Sequence, residues 1–202
     1  METERTIPQI FETSLDQNTS FEFYFTSVFR KFFSSLKLEP CEGIEKTPAR
    51  FLKALRELTN GYQQDPSSYL KVTFESKSDD LVIIRDIPFS SLCEHHLMPF
   101  WGSVDIGYIP SGRVAGLSKF PRAVQALAHR LQIQERLTQQ IREAIQQALD
   151  PKGVAVVVKA THSCMRCRGI RSTGEMITSS LCGVIKDSEA SRAEFFTLLG
   201  VK

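Results

Sequence analysis

The sequence predicts an α+β fold. Three observations carry that reading: helix-spaced aromatic residues before Asn60-Gly61, segments rich in β-branched and aromatic residues from Lys71 onward, and a long helical stretch between the third and fourth of those segments. Residues 1–60 read as an N-terminal helical region and 61–202 as one further domain.

Each element has a local reason. Phe21, Phe25, Phe29, Phe32 and Leu36 recur at helical spacing, so roughly Ser20–Leu36 is expected as an amphipathic helix. Thr47-Pro48 is a start signal, because Thr47 can cap and Pro48 suits the first helical position. Phe51, Leu55 and Leu58 mark one face, and Asn60-Gly61 stops the helix. Asp65-Pro66-Ser67-Ser68 reads as a loop. Strands are expected at Lys71–Phe74, Leu81–Phe89, Gly102–Ile109 and Val154–Ala160, with a turn at Pro110-Ser111-Gly112. Between the third and fourth strands, Val124, Leu127, Ala128 and Leu131 form one helical face. Leu137, Ile141, Ile145 and Leu149 continue it after a break near Gln132, and Asp150-Pro151-Lys152-Gly153 ends it. A last helix is expected over Ser188–Leu199, capped by Ser188 or Ser191.

Composition narrows the function classes. The chain has 202 residues, 42% hydrophobic and 24% charged, enough for a substantial core. A formal net charge of +2 builds no broad basic face, so nucleic acid is not an expected partner and any anionic ligand needs a local cluster. Met1–Ile10 is polar and includes Glu2, Glu4 and Arg5, so it does not read as a secretory signal. The most apolar run, Val154–Val158, is too short to span a bilayer, and no membrane association is expected. Five cysteines, an odd count, suit a reducing, cytoplasmic setting and thiol or metal chemistry.

Histidine is concentrated near those cysteines. Of His95, His96, His129 and His162, only His129 stands apart from a cysteine. Cys93-Glu94-His95-His96 follows the second expected strand, and the spacing of Cys93 and His96 lets one turn present both to a single ion. His162-Ser163-Cys164-Met165-Arg166-Cys167 follows the fourth. On a continuing strand His162 and Cys164 would share a face, and Cys167 would point elsewhere. Cys93, His96 and Cys164 would make an open, catalytic zinc site. Adding Cys167 would close it as a structural Cys3His site. The cysteines could instead be small buried apolar residues, and Cys164-x-x-Cys167 could be a redox pair, although no thioredoxin-like βαβ pattern surrounds it. His95 and His162, left over beside the candidate ligands, suit proton transfer near neutral pH.

The ordered set of motifs resembles the GTP cyclohydrolase I family. The residues that carry the resemblance are Gly43-Ile44-Glu45-Lys46-Thr47-Pro48-Ala49-Arg50, Cys93-Glu94-His95-His96, Gly116-Leu117-Ser118-Lys119, Gln134-Glu135-Arg136-Leu137-Thr138 and His162-Ser163-Cys164-Met165 with Arg168-Gly169. The similarity runs from about Leu38 to the C-terminus. It implies a T-fold, an antiparallel sheet packed on helices that oligomerises into a barrel, and a decamer with active sites at subunit interfaces. It also implies that Cys93, His96 and Cys164 hold Zn2+ and that His95 and His162 are the acid/base histidines. By the same resemblance Arg50, Ser118, Lys119, Arg122 and Arg168 surround the triphosphate and ribose of GTP, and Gln134 and Glu135 read guanine.

Several of these matches have a physical reason of their own. Lys119 and Arg122 are three apart at a helix start, where backbone N–H groups favour anions. The Glu135 carboxylate can accept from two adjacent N–H donors of a base. The implied reaction converts GTP and water to formate and 7,8-dihydroneopterin triphosphate, a step of pterin biosynthesis that can serve folate, tetrahydrobiopterin or a modified nucleoside. Cys167 is not a ligand position of the family pattern. The segment before Leu38 is the least alignable, so no regulatory partner is carried over.

Overall fold

The computed structural model describes residues 19–200; the polar Met1–Ile10 segment lies outside them. The chain divides into two compact units, with the break between Arg56 and Glu57.

The first unit is helical. It contains α1 (Thr19–Ser35), the one-turn α2 (Glu42–Glu45) and most of α3 (Thr47–Leu58), which runs through the break. The helical spacing of Phe25 and Phe29 puts both on the side that meets Phe51, with ring centroids 6.2 and 5.2 Å from it. Arg56 Nη1 and Glu22 Oε1 pair at 2.8 Å. Thr47 is the first residue of α3 rather than a residue ahead of it, and buried Pro48 sits in the first turn, where its missing N–H leaves no bond unmade.

The second unit opens with a 3-10 turn at Asn60–Gln63 and α4 (Pro66–Leu70), capped by the Asp65 carboxylate, which accepts from the Ser67 N–H. The short β1 (Thr73–Glu75) pairs with β4 (Arg113–Ala115). The main sheet contains β2 (Val82–Cys93), β3 (Pro99–Ile109), β5 (Leu131–Gln132), β6 (Gly153–His162) and β7 (Met176–Gly183), in the order β5-β2-β3-β6-β7. All its pairings are antiparallel except β5 on β2. The helices are α5 (Lys119–Ala128), α6 (Gln134–Leu149), the one-turn α7 (Ser163–Arg166) and α8 (Val184–Asp187), and α9 (Glu189–Leu198).

Both faces of β6 are buried, which is why its sequence is continuously apolar rather than alternating. Val154, Val156 and Val158 join the core with Phe120, Val124, Leu137, Ile141 and Ile145 of α5 and α6. Ala155 and Val157 point the other way, to Ile185 of α8 and Phe195 of α9. Gly107 is required beneath α9, because a Cβ there would lie 2.6 Å from the Phe195 ring. Between Ile84 and Ile87 the β2–β3 register shifts. The N–H of Asp86, at φ 55°, donates to Asp105 Oδ1, and Lys159 Nζ holds the other oxygen of that buried carboxylate at 3.1 Å.

The longer helices follow the sequence pattern, but Asp65-Pro66-Ser67-Ser68, expected as a loop, is the cap and first turn of α4. The expected break near Gln132 is β5, Asp150 ends α6 in the left-handed region at φ 42°, and the Ser188 side chain caps α9. The strands differ more. β2 and β3 are longer than expected and run to the metal motifs, the first strand is displaced to Thr73–Glu75, and β7 was not anticipated.

Candidate metal centre and active site

Cys93 is the last residue of β2, and the chain reverses at once into β3. The Cys93 N–H donates to the Met98 carbonyl at 2.9 Å, and the Leu97 N–H donates to the Cys93 carbonyl at 2.8 Å. This tight turn brings His96 Nδ1 to 3.6 Å and His95 Nδ1 to 3.9 Å from Cys93 Sγ. β5 ties the start of α6 to the same turn: Cys93 is paired with Gln132, whose carbonyl accepts from the Glu94 N–H at 3.0 Å.

The second half of the centre forms differently from the strand expected there. β6 ends at His162 and the chain turns helical over Ser163–Arg166, with Ser163 Oγ donating to the Pro99 carbonyl at 2.5 Å. A helical turn, not strand parity, therefore carries Cys164 to Cys93. One donor atom each from Cys93, His96 and Cys164 lie within 4.8 Å of one another. Cys167 is exposed and outside this group.

This donor set fits a zinc ion. Bonds of about 2.0–2.3 Å place tetrahedral donors roughly 3.5 Å apart, a small contraction from the observed arrangement. Thiolate and imidazole are also the ligand types zinc favours. Burial pushes the Cys164 thiol above its ordinary value, and the neighbouring Cys93 adds to the shift. Two adjacent thiolates are costly without a cation between them.

His162 borders the group. Its ring lies flat on Phe100, with centroids 4.7 Å apart and planes within 3°. Burial lowers the His162 pKa, while the Glu135 charge and the Ala160 backbone act in the opposite direction. Glu135, exposed at the first turn of α6, is therefore near enough to His162 to influence its proton.

Gln134 behaves differently from its neighbour. It is 1% exposed, and its Nε2 faces the Val158 and Met176 carbonyls at 3.0 Å each and Thr178 Oγ1 at 3.1 Å. Its Oε1 is buried without a partner. The amide thus pins α6 to β6 and β7, and Glu135 alone of the pair projects outward.

Ser118, Lys119 and Arg122 stand at the start of α5, where Ser118 makes no side-chain capping bond. Phe120 packs on Tyr108 with centroids 5.4 Å apart. Tyr108 is eight residues along β3 from Phe100, the partner of His162. At about 3.4 Å per residue, this places the basic helix start roughly 27 Å from the metal group along one strand. Arg168 is exposed in the loop after α7, and Arg50 is exposed on α3 in the first unit.

Two charged residues inside the motifs were not singled out from sequence. Glu94 forms a close ion pair with Arg136 of α6, and its other oxygen is 3.8 Å from His95 Nε2. The hydrogen-bonded guanidinium holds the Glu94 carboxyl below its ordinary range. The only sequence signal was their place within the matched runs.

The model of the family described as GTP cyclohydrolase I matches residues 25–200. The chain belongs to the GTP cyclohydrolase I family. It is 50% identical over 161 residues to GTP cyclohydrolase 1 of Chlorobaculum tepidum, covering 79% of this chain and 72% of that one. It is likewise 50% identical over 160 residues to the Campylobacter lari protein of that name, covering 78% and 84% of the two chains. The Methylococcus capsulatus protein is 50% identical over 163 residues, covering 80% and 88%. Among solved structures, the archaeosine synthase QueF-Like in the apo form aligns at 24% identity with a TM-score of 0.38, over 52% of this chain and 96% of that chain. GTP cyclohydrolase I proteins are enzymes, and in this member Cys93, His96 and Cys164 form a group that could hold a metal ion, with His162 two residues before Cys164. No helix among the described residues is long and apolar enough to cross a membrane.

Proposed function

We propose that this chain is a zinc-dependent GTP cyclohydrolase I, which opens the imidazole ring of guanine in GTP and yields formate and 7,8-dihydroneopterin triphosphate. The observation that carries the reading is the Cys93–His96–Cys164 group, bordered by His162, in a chain of this family. Those three residues hold the metal and Cys167 stays outside, leaving the fourth position open. When bound, zinc supplies a Lewis acid that brings the pKa of a water towards about 7.

The chain's own residues do the rest. Glu135 accepts from the N–H donors on the guanine edge, and Gln134 fixes the helix that presents it. His162, held flat by Phe100, moves the proton at guanine nitrogen 7. Burial favours its neutral form and Glu135 favours its charged form, so the ring can change state during turnover. His95 serves the water or the ribose. Lys119, Arg122, Arg168 and Arg50 bind phosphate oxygens, and Ser118 adds a hydroxyl.

The register of β3 supports a site completed by another copy. A distance of about 27 Å between His162 and the start of α5 exceeds what one nucleotide spans. The strands β5 and β7 also leave sheet edges whose backbone groups a neighbour can pair. A T-fold barrel of subunits, assembled as a homodecamer in the cytoplasm, satisfies both requirements.

The test is formate release and pterin fluorescence from GTP with the purified zinc-loaded protein. Absence of formate would refute the reading. Mixing Lys119→Ala chains with His162→Ala chains, each inactive alone, should restore part of the activity. A fully active monomer in sedimentation, or no rescue despite subunit exchange, would overturn the shared site.

A further inference from the structure

We propose that Glu94 and Arg136 are positioning residues that fix the orientation of His95. This rests on the reading that His95 moves a proton during GTP opening.

The arrangement runs from the core outward. Buried Gln132 is locked by donating from Nε2 to the Leu127 carbonyl at 2.9 Å and to Gln140 Oε1 at 2.8 Å. Its Oε1 accepts from Arg136 Nε at 3.0 Å, and Arg136 Nη2 donates to the Leu131 carbonyl at 2.9 Å. The guanidinium is thereby held as a rigid fork aimed at Glu94. It takes one carboxylate oxygen, and the Glu94 N–H is itself bound to the Gln132 carbonyl. The remaining oxygen faces His95 Nε2 at 3.8 Å, a contact longer than a hydrogen bond.

His95 needs such a guide. Its side chain is 64% exposed, and among the described residues its ring contact is edge-on, to His96 at 6.1 Å, rather than flat like that of Phe100 with His162. The Glu94 carboxylate is an acceptor facing the Nε2 edge of the ring. With that edge held, Nδ1 is the nitrogen 3.9 Å from Cys93 Sγ and is turned towards the metal group. Glu94 therefore selects which nitrogen of His95 faces the chemistry, and Arg136 keeps Glu94 from swinging away.

A double-mutant cycle on the full-length zinc-loaded protein tests this. Glu94→Gln should lower kcat about tenfold, the scale of losing an orienting partner, with KM for GTP and zinc stoichiometry unchanged. In a His95→Ala background the same change should cost less than about twofold. Arg136→Gln should behave as Glu94→Gln does, and Arg136→Lys should recover part of the loss. A full tenfold loss in the His95→Ala background, or loss of zinc from Glu94→Gln, would overturn the proposal. A second readout needs no turnover: Glu94→Gln should change the rate of His95 carbethoxylation and leave that of His129 alone. If the parent protein releases no formate, the cyclohydrolase reading fails, and an unchanged His95 rate would separately sink the positioning role.

Discussion

The imidazole of His162 is stacked on the ring of Phe100, with centroids 4.7 Å apart and an interplanar angle of 3°. Phe100 is in turn fixed edge-on by Phe89, with centroids 5.8 Å apart, and is 1% exposed. The His162 ring thus rests on the hydrophobic core. His162→Ala should keep zinc and lose about 10²–10⁴-fold in turnover. Phe100→Leu preserves an apolar filling but removes the flat support, so it should lower kcat with zinc content unchanged. Steady-state kinetics beside metal analysis checks both, and normal formate release by His162→Ala would refute its role.

The thiols separate just as sharply. Cys164→Ser should lose metal and activity together, because it removes a donor from the three-residue group. Exposed Cys167 lies outside that group, and Cys167→Ser should keep both. Zinc loss from the Cys167 variant would favour a closed four-ligand site.

Gln134 and Glu135 are neighbours with different expected phenotypes. Gln134→Ala removes the amide that faces two strand carbonyls, and it should cost about 1–3 kcal/mol of stability in denaturant unfolding. Glu135→Ala changes an exposed side chain and should stay within about 0.5 kcal/mol of the parent. It should instead relax the preference for GTP over ITP, which lacks the exocyclic amine. Equal losses on the two nucleotides would count against Glu135 reading that amine.

Tyr108 provides a pH signature at the opposite end of β3. Burial raises its phenol pKa above the ordinary 10.0, with the Ala115 backbone acting weakly in the other direction. The folded chain therefore holds this proton more tightly than the unfolded chain. The resulting stability is complete below about pH 10 and is lost as pH rises through the raised folded value. Tyr108→Phe should lose less stability than the parent between about pH 8 and pH 11. Parallel slopes in urea unfolding would show that Tyr108 does not titrate in this way.

Much of this was legible in the residues themselves. The face Leu137, Ile141, Ile145 and Leu149 identifies α6 because a buried helix face leaves a 3.6-residue trace. Cys93 and His96 were readable because their spacing alone fits one turn. Strand β7 was missed because Thr178-Ser179-Ser180 interrupts its apolar residues, and its pairing with β6 is a long-range property. The partnership of Cys164 with Cys93 depends on where β6 stops, which Ser163 and the distant Pro99 carbonyl decide together. Burial of Gln134 was equally hidden, since its partners come from β6 and β7.

The β3–β6 ladder is unbroken from Phe100 opposite His162 to Ile109 opposite Gly153. Cys93 enters the centre from β2 and Cys164 from beyond β6, so β3 lies between the two contributors. Slippage by one residue in either ladder would turn side chains to the other face of the sheet. A slipped chain would have the same composition and nearly the same helix content, but it would not gather three donors around one ion. An ion held by these three donors would therefore act as proofreading, rewarding only those folding molecules whose strands have been counted correctly, and metal retention in a variant would report on alignment as well as chemistry.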